Sequence, residues 1–414
     1  MSIILIWVYI IVNIYIAIKH YKNHLGVFEL PFLLSMISMI FIVPNLFLVH
    51  SYYGDDADSF MSYSLIIFIL CNYAFHWGFV KATQKKEHEY YQEHFNISKG
   101  KYVISLFAII GLWATLKNKG EYQGGFAEGA YVIINFFTIY LPIAMNMVFV
   151  CIYKKYKIPS YFYIILFIAI FLQIEQFITI ARRAQAMQTA LTCLFFFFLT
   201  HDIKKYKKYK ILVPCIFLIG FFLNSYVGSY RANAYSNEVS VIDNIKSISI
   251  SNQESEMSLD LFGNEVNNAF IGINDIRENL TFDYGTFNFN VIVQRFVPKV
   301  LVGADLKSFL MIKIGGSEKT KILGSTGSTM TGYYDAYSSF GLLGWIKFLL
   351  LGYLMGYFWR KRETSVNYLL LYVCLFSSVM EIISHDTNYP ISQIIFYYVF
   401  ALPFIQMSFI KIKK

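Results

Sequence analysis

The chain has 414 residues, of which 57% are hydrophobic, 19% aromatic and only 15% charged, and its mean hydropathy is +0.49. This composition excludes an ordinary soluble domain and indicates a protein that crosses a membrane several times. The net charge of +9 does not indicate a nucleic-acid partner, because many lysines fall in short loops where the positive-inside rule accounts for them.

Apolar stretches long enough to cross a bilayer recur along the whole chain, and we count about eleven. They cover residues 2–18, 31–50, 61–80, 102–117, 130–152, 159–180, 184–201, 211–228, 337–359, 366–383 and 390–409. Basic clusters occupy every second loop, and this alternation predicts an N-terminus outside and a C-terminus in the cytoplasm. The predicted fold class is an all-α integral membrane protein of about 11 transmembrane helices.

One polar segment, residues 229–332, separates the eighth predicted span from the ninth. The charge alternation places this large loop on the outer side of the membrane. Its content of aromatic and aliphatic residues argues against disorder, and their spacing predicts an amphipathic helix over about 258–279. We therefore divide the chain into spans 1–8 (residues 1–228), an outer loop subdomain (229–332) and spans 9–11 (333–414).

Arginines lie near the outer ends of several predicted spans. Arg182 and Arg183 follow the sixth span, Arg231 lies directly beyond the eighth, and Arg295 shortly precedes a proline within the outer loop. A guanidinium group binds phosphate oxygens through two parallel hydrogen bonds, so these four residues suit a lipid-linked pyrophosphate. Interfacial anchoring or ordinary solvation is the alternative at each position. Arg277 stands beside Glu278 and fits an exposed helix face.

Two outer positions are candidates for proton transfer. Asp335 enters the ninth span between Tyr333 and Tyr337, whose rings and hydroxyls suit sugar contacts, and a partly buried carboxylate there could act as a general base. The alternative for Asp335 is a helix N-terminal carboxylate that interacts with the dipole. His385 and Asp386 form a second acid/base candidate in the outer loop 384–390, where plain loop solvation is the alternative.

Signatures of metal and nucleotide sites are missing from the sequence, which has no H-E-x-x-H and no G-x4-G-K-[ST]. We therefore predict no bound metal and no cofactor. Lys347 and Glu175 lie well inside predicted spans, where charges usually serve function, and pairing between them is one hypothesis. The Gly-, Ser- and Thr-rich stretch 324–332 could bind an anion at the helix start, or be an ordinary loop-to-helix transition.

Residues 331–356, TGYYDAYSSFGLLGWIKFLLLGYLMG, resemble the corresponding stretch of Wzy-type oligosaccharide repeat-unit polymerases. In that family a Gly/Ser-rich end of the large periplasmic loop leads into an acidic and aromatic helix start. A Phe-Gly-x-x-Gly turn follows, here Phe340 to Gly344. The layout of spans and of the large periplasmic loop between spans 8 and 9 is similar along nearly the whole chain, and it also resembles the related O-antigen ligases.

The resemblance implies a membrane glycosyltransferase with a polyprenyl-pyrophosphate-linked donor. It would polymerise undecaprenyl-pyrophosphate-linked repeat units, for an O-antigen or capsule type polysaccharide, at the periplasmic face of the bacterial inner membrane. By position, donor pyrophosphate would be held by Arg182, Arg183, Arg231 and Arg295, sugars would contact Tyr333 and Tyr337, and Asp335 or His385 would assist the acceptor hydroxyl. The implied partners are the lipid-linked donor and acceptor, membrane lipids and a chain-length regulator. An O-antigen ligase and a flippase of lipid-linked oligosaccharide are the alternatives.

Overall fold

The computed structural model describes residues 1–23, 25–85, 91–117, 130–180, 183–201, 211–215, 265–313 and 331–413. These residues form packed helices and one short two-stranded antiparallel sheet. Within these described ranges, five helical stretches are long and apolar enough to cross a membrane: Ser2–Tyr21, Leu30–Thr83, Ile97–Lys117, Gly332–Lys361 and Val366–Ser384. Shorter apolar helices accompany them at Tyr140–Tyr153, Tyr161–Glu175 and Met187–Thr200. The predicted class, a helical membrane protein, is confirmed at this level.

Up to residue 201 the elements follow the predicted spans closely. They are α1 Ser2–Tyr21, α2 Leu30–Ile37, α3 Val43–Tyr53, α4 Ala57–Thr83, β1 Tyr91–Phe95, α5 Ile97–Lys117, α6 Ala130–Phe137, α7 Tyr140–Tyr153, α8 Tyr161–Ile180 and α9 Arg183–Thr200. A π-helical turn, Ser38–Ile42, joins α2 to α3 directly before Pro44. Because proline has no amide hydrogen and its ring crowds the carbonyl four residues earlier, the helix widens there.

The described elements after residue 264 begin in the segment 229–332, which we call the outer segment after its predicted side of the membrane, and return to the bundle. They are α10 Glu265–Asn279, α11 Thr286–Phe296, α12 Lys299–Val302, α13 Ala304–Leu310, α14 Gly332–Phe340, α15 Trp345–Lys361, α16 Val366–Cys374, α17 Phe376–Ser384, α18 Asn388–Phe396, α19 Leu402–Gln406 and β2 Phe409–Lys413. The amphipathic helix predicted over 258–279 appears as α10, and residues 258–264 lie outside the described part. A second π-helical turn, Tyr397–Ala401, precedes Pro403 as the first precedes Pro44.

Helices α4 and α15 form the central pair of the bundle. A Cβ atom added at Gly352 would lie 2.1 Å from the Phe75 carbonyl oxygen, and one at Gly78 would lie 2.2 Å from the Leu349 carbonyl oxygen. Only glycine fits at such distances, and small residues let helix backbones approach closely in membrane proteins. The two helices therefore form a rigid axis against which the other elements pack.

The ninth predicted span, 337–359, is interrupted. Helix α14 ends at Phe340, a 3-10 turn covers Gly341–Gly344, and α15 begins after it. Gly341 has a φ of +57°, which favours glycine, and a Cβ at Gly344 would lie 2.2 Å from the Ala336 carbonyl oxygen. The turn folds α14 back onto the start of α15, so the two helices are neighbours where a straight helix was expected.

The two ends of the bundle differ in charge. At one end, Ser2 donates from its backbone N and its hydroxyl to Asp58, which lies in the first turn of α4. At the other end, the Arg360 guanidinium donates to the Lys85 carbonyl oxygen just beyond α4, and β1 pairs with β2 of the C-terminal segment. We call these the acidic end and the basic end. The two termini of the chain thus lie at opposite ends of the bundle.

Candidate functional site

Asp335 lies at the acidic end, in the first turn of α14. The helix starts where it does because the Thr331 hydroxyl caps it, accepting a hydrogen bond from the Tyr334 backbone N at 3.3 Å. Asp335 is only 1% exposed. Its Oδ2 atom accepts hydrogen bonds from the Thr387 backbone N at 3.2 Å and from the Thr387 hydroxyl. A buried carboxylate of this kind needs such partners to offset its lost hydration.

Lys347 supplies the charge opposite to Asp335. Its Nζ atom lies 3.5 Å from Asp335 Oδ2 and donates to the Ser339 hydroxyl at 2.6 Å and to the Asn288 side-chain oxygen. In one straight helix these residues, 12 positions apart, would be separated by about 18 Å along the axis. The Gly341–Gly344 turn brings them together, so the intramembrane lysine noted in the sequence pairs with Asp335.

Asn288 of α11 ties the outer segment to this ion pair. Its side-chain N donates to Asp335 Oδ2 at 3.2 Å, to the Thr387 hydroxyl at 3.3 Å and to the Asn388 side-chain oxygen at 2.8 Å. We call Asn288, Asp335, Ser339, Lys347 and Thr387 the Asp335 cluster. It joins the outer segment, the folded-back ninth span and the loop between α17 and α18, which are far apart in sequence.

A second buried carboxylate fixes the same outer segment to α14. Asp283 is fully buried, and its side chain accepts from the hydroxyls of Ser338 and Ser339, both at 2.9 Å, and from the Gly285 backbone N at 2.7 Å. The Asp283 backbone N also donates to the Ser338 carbonyl oxygen at 2.9 Å. These bonds satisfy the buried polar groups of the loop before α11 and set the position at which α11 begins.

Three residues form a line of side chains beside the Asp335 cluster, and we call them the rim array: Arg295, Tyr389 and His385. The Arg295 guanidinium lies 4.3 Å from the centre of the Tyr389 ring, a cation–π contact. The Tyr389 and His385 rings meet edge to face with their centres 5.2 Å apart. All three side chains are half-buried, so they form part of a surface that a ligand can reach.

Charged groups near the rim array act on the Tyr389 phenol in opposite directions. Burial raises the pKa of the Tyr389 phenol, the Glu381 carboxylate adds to the rise, and Arg295 opposes it. His385 Nδ1 is hydrogen-bonded to the Ser384 hydroxyl at 2.7 Å, which fixes the orientation of the ring. Asp386, considered in the sequence as a partner for His385, accepts from the Asn388 backbone N at 2.7 Å and thus shapes the turn into α18.

Arg295, predicted to bind substrate, and His385, predicted to transfer a proton, come together through Tyr389. Arg182 and Arg231 lie outside the described residues, as does the side chain of Arg183 at the start of α9. Arg277 is exposed on α10, with its guanidinium 5.4 Å from the Tyr63 ring centre. Of the four arginines predicted to hold pyrophosphate, Arg295 is therefore the one whose side chain the structure describes.

Tyr333 and Tyr337 are almost completely buried, with exposures of 0% and 2%. The Tyr333 hydroxyl donates to the Asn72 side-chain oxygen at 2.8 Å and lies 3.0 Å from the Tyr9 hydroxyl. The Tyr337 ring packs edge to face against Tyr63. Both tyrosines face the interior of the bundle, so their predicted sugar contacts would require a different arrangement of α14.

Sequence reasoning did not single out Asn288, Thr387 or Tyr389, which hold the site together. Asn288 could have been noticed in the sequence, because its polar amide lies between two phenylalanines in a segment otherwise suited to apolar packing. Thr387 and Tyr389 belong to the polar outer loop 384–390 that contains His385. Nothing in the sequence indicated which of these loop residues would contact Asp335 or Arg295.

In the part of the chain that the structure describes, no group of three His, Cys, Asp or Glu side chains is placed to hold a metal ion. The chain matches no family model, no curated protein and no solved structure. The resemblance to the Wzy-type polymerases therefore stays a prediction from residues 331–356.

Proposed function

We propose that the chain is a membrane glycosyltransferase that polymerises oligosaccharide repeat units carried on a polyprenyl pyrophosphate, in the manner of the Wzy-type polymerases. The observation that carries this proposal is the rim array, where Arg295, Tyr389 and His385 lie side by side at the acidic end of an apolar helical bundle. A phosphate-binding cation next to an acid/base side chain at a membrane boundary suits a lipid-linked glycosyl donor.

In this proposal the acceptor sugar hydroxyl attacks the anomeric carbon of the donor, and the bond from that carbon to the pyrophosphate oxygen breaks. His385 takes the proton of the attacking hydroxyl. Arg295 binds the pyrophosphate and stabilises the negative charge that develops on the leaving oxygen. Tyr389 holds the guanidinium and the imidazole in their relative positions through its ring.

Asp335 then has a role that differs from the predicted general base. Its Oδ2 atom already accepts from Thr387 and Asn288 and pairs with Lys347, and the residue is only 1% exposed, so this oxygen is engaged and withdrawn from solvent. We assign to Asp335 the positioning of α11 and of the loop 384–390. Those two elements carry Arg295 and His385, so the Asp335 cluster acts on the reaction through the rim array.

The membrane setting belongs to the same proposal. It places the chain in the bacterial inner membrane with about eleven spans, the outer segment 229–332 on the periplasmic side, the N-terminus outside and the C-terminus in the cytoplasm. An odd number of crossings requires the termini to lie on opposite sides, in agreement with their positions at opposite ends of the bundle. The basic end would face the cytoplasm and the rim array the periplasm.

The test is the length distribution of surface glycan on a gel, in a deletion strain complemented with wild-type or variant protein. We expect single-repeat glycan in the deletion and a full ladder with wild type. Arg295→Ala should lower the polymerisation rate by about 100-fold, the size of effect seen when one transition-state donor is removed. His385→Ala should lower it by about 100-fold or more, as for the loss of a general base.

Arg277→Ala is the matched control for Arg295→Ala, because Arg277 is another arginine of the outer segment that lies over a tyrosine ring. It should leave the ladder unchanged at equal protein levels in the membrane. A full ladder in the deletion strain would exclude polymerisation. Loss of surface-attached glycan with intact lipid-linked polymer would point to a ligase, and accumulation of cytoplasmic-facing repeat units would point to a flippase.

A further inference from the structure

A group of ionisable side chains lies at the basic end of the bundle, remote from the rim array. Lys19 and His20 are in the last turn of α1, His76 is in the C-terminal third of α4, and Glu29 directly precedes α2. Lys19 is exposed, whereas His20, Glu29 and His76 are only 2%, 6% and 3% exposed. Buried ionisable groups in membrane proteins are costly and commonly serve function.

These four residues form one continuous series of contacts, which we call the histidine chain. Lys19 Nζ lies 3.3 Å from His76 Nε2, and His76 Nδ1 lies 2.8 Å from His20 Nε2. His20 Nδ1 in turn contacts Glu29 Oε2. The Asn23 side-chain N donates to both oxygens of Glu29, at 3.2 and 3.1 Å. Each side-chain nitrogen and oxygen of the histidine chain thus lies next to a possible hydrogen-bond partner.

The chemistry of the first group fixes the direction of every bond. An ammonium group can only donate, so His76 Nε2 must accept and the proton of neutral His76 must sit on Nδ1. That N–H then donates to His20 Nε2, which places the proton of His20 on Nδ1, where it donates to the Glu29 carboxylate. Both imidazoles are therefore held as the Nδ1–H tautomer between a cation and an anion.

Other charged and titratable groups face Glu29 from the neighbouring elements. Arg362 just beyond α15 and Tyr372 on α16 both interact electrostatically with Glu29. The Tyr372 hydroxyl also donates to the Phe28 carbonyl oxygen at 3.0 Å and accepts from the Leu30 backbone N at 2.9 Å. The segment around Glu29 is thus held by α16 as well as by α1 and α4, and Arg362 adds a positive charge near it.

We propose that the histidine chain is a binding site for a single proton, taken up from the solvent on the basic side of the membrane and delivered to Glu29. Lys19 gives a proton to His76 Nε2, His76 gives its Nδ1 proton to His20 Nε2, and His20 gives its Nδ1 proton to Glu29. Exposed Lys19 then regains a proton from water. The balance is one proton consumed from solvent and one carboxylate converted to a carboxylic acid.

With the rings held in these orientations, the same geometry makes this a binding site for one proton. After the transfer, both imidazoles carry their proton on Nε2, so His76 presents an N–H to the ammonium of Lys19 and cannot accept again. The proton must return by the same route before another can enter. The histidine chain is therefore a reversible sensor of pH. Protonation of Glu29 weakens its contacts with Asn23 and with the end of α1. The proposal is independent of the proposed glycosyl transfer.

The test uses the full-length protein in lipid bilayers with ¹⁵N-labelled histidine, observed by solid-state NMR. At high pH we expect His20 and His76 to show the Nδ1–H tautomer, and His20→Gln and His76→Gln to assign their signals among those of the eight histidines. On acidification both signals should change together in one reversible step. Glu29→Gln should keep both Nδ1–H tautomers, because the amide oxygen still accepts from His20, yet abolish the joint step.

The control is His201→Gln, which removes an exposed histidine at the end of α9 and should change neither signal. The Nε2–H tautomer in either residue at high pH would overturn the proposal. So would separate titration of the two histidines, or a joint step that persists in Glu29→Gln. Glu29→Gln preserves the shape of the side chain, and a monodisperse size-exclusion profile for it would show that its result does not come from unfolding.

Discussion

Single residues at the acidic end act mainly by joining distant segments. Asp335 and Lys347 are both largely buried, with side-chain exposures of 2% and 15%. A buried ion pair contributes little net stability compared with an apolar pair, but removing one partner leaves a buried charge without compensation. The Asp335 cluster therefore fixes one arrangement of the outer segment, and its value to the protein lies in that arrangement.

Lys347→Met should lower the free energy of unfolding by about 3 kcal/mol, because it leaves the Asp335 carboxylate buried without its cation. Asp335→Asn should destabilise by a similar amount, whereas the double variant should cost less than the sum, with a coupling of about 1–3 kcal/mol. Reversible unfolding in detergent measures these differences. Lys307→Met is the control, since Lys307 donates only to a backbone carbonyl at the surface and should change stability by less than about 0.5 kcal/mol. Additive effects of Lys347→Met and Asp335→Asn would show that the pair does not act as a unit.

At the scale of elements, the turn Gly341–Gly344 determines the site. The sequence indicated a Phe-Gly-x-x-Gly turn and a helix start rich in acidic and aromatic residues, and the structure has both. Hydropathy alone gave one continuous span over 337–359, because a short turn between apolar residues leaves an apolar window unchanged. The fold-back that joins Asp335 to Lys347 depends on backbone conformation, which hydropathy does not report.

Gly344→Ala should separate α14 from α15, because the new Cβ would meet the Ala336 carbonyl oxygen at 2.2 Å. We expect a loss of about 1–3 kcal/mol of stability, in the range found for overpacked positions, together with a shortened glycan ladder. Thermal unfolding and the gel assay measure the two effects separately. Gly285→Asn is the comparison, since Gly285 has a φ of 82° and a ψ of 2°, a left-handed conformation that asparagine tolerates, and an added Cβ would lie 3.7 Å from Phe340, so it should cost less than Gly344→Ala. Equal behaviour of Gly344→Ala and wild type would mean that α14 does not pack on α15 as described.

For the whole molecule, local patterns predicted much of the architecture and little of the site. Helices appear within the predicted ranges that the structure describes, apart from the break of the ninth span at Gly341–Gly344, because apolar length is a property of adjacent residues. The contact of Asn288 with Asp335 joins positions 47 residues apart, and that of Asn288 with Asn388 joins positions 100 residues apart. No periodicity encodes such pairs, since they depend on how the outer segment docks. The small sheet of β1 and β2 was missed for the same reason, as it pairs residues 91–95 with residues 409–413, far apart in the sequence.

The orientation of the bundle decides whether the rim array can meet a periplasmic substrate. Cysteine labelling with a membrane-impermeant maleimide tests this orientation. The starting protein carries serine in place of the half-exposed Cys193 and Cys215 and keeps its buried cysteines. Ala304→Cys, exposed at the start of α13, should react in intact cells. Glu363→Cys, exposed at the basic end, should react only after permeabilisation, because the lysines and arginines around it hold that end in the cytoplasm. The reverse pattern would place Arg295 and His385 in the cytoplasm, where no periplasmic lipid-linked sugar could reach them, and the proposed polymerisation would fail with it.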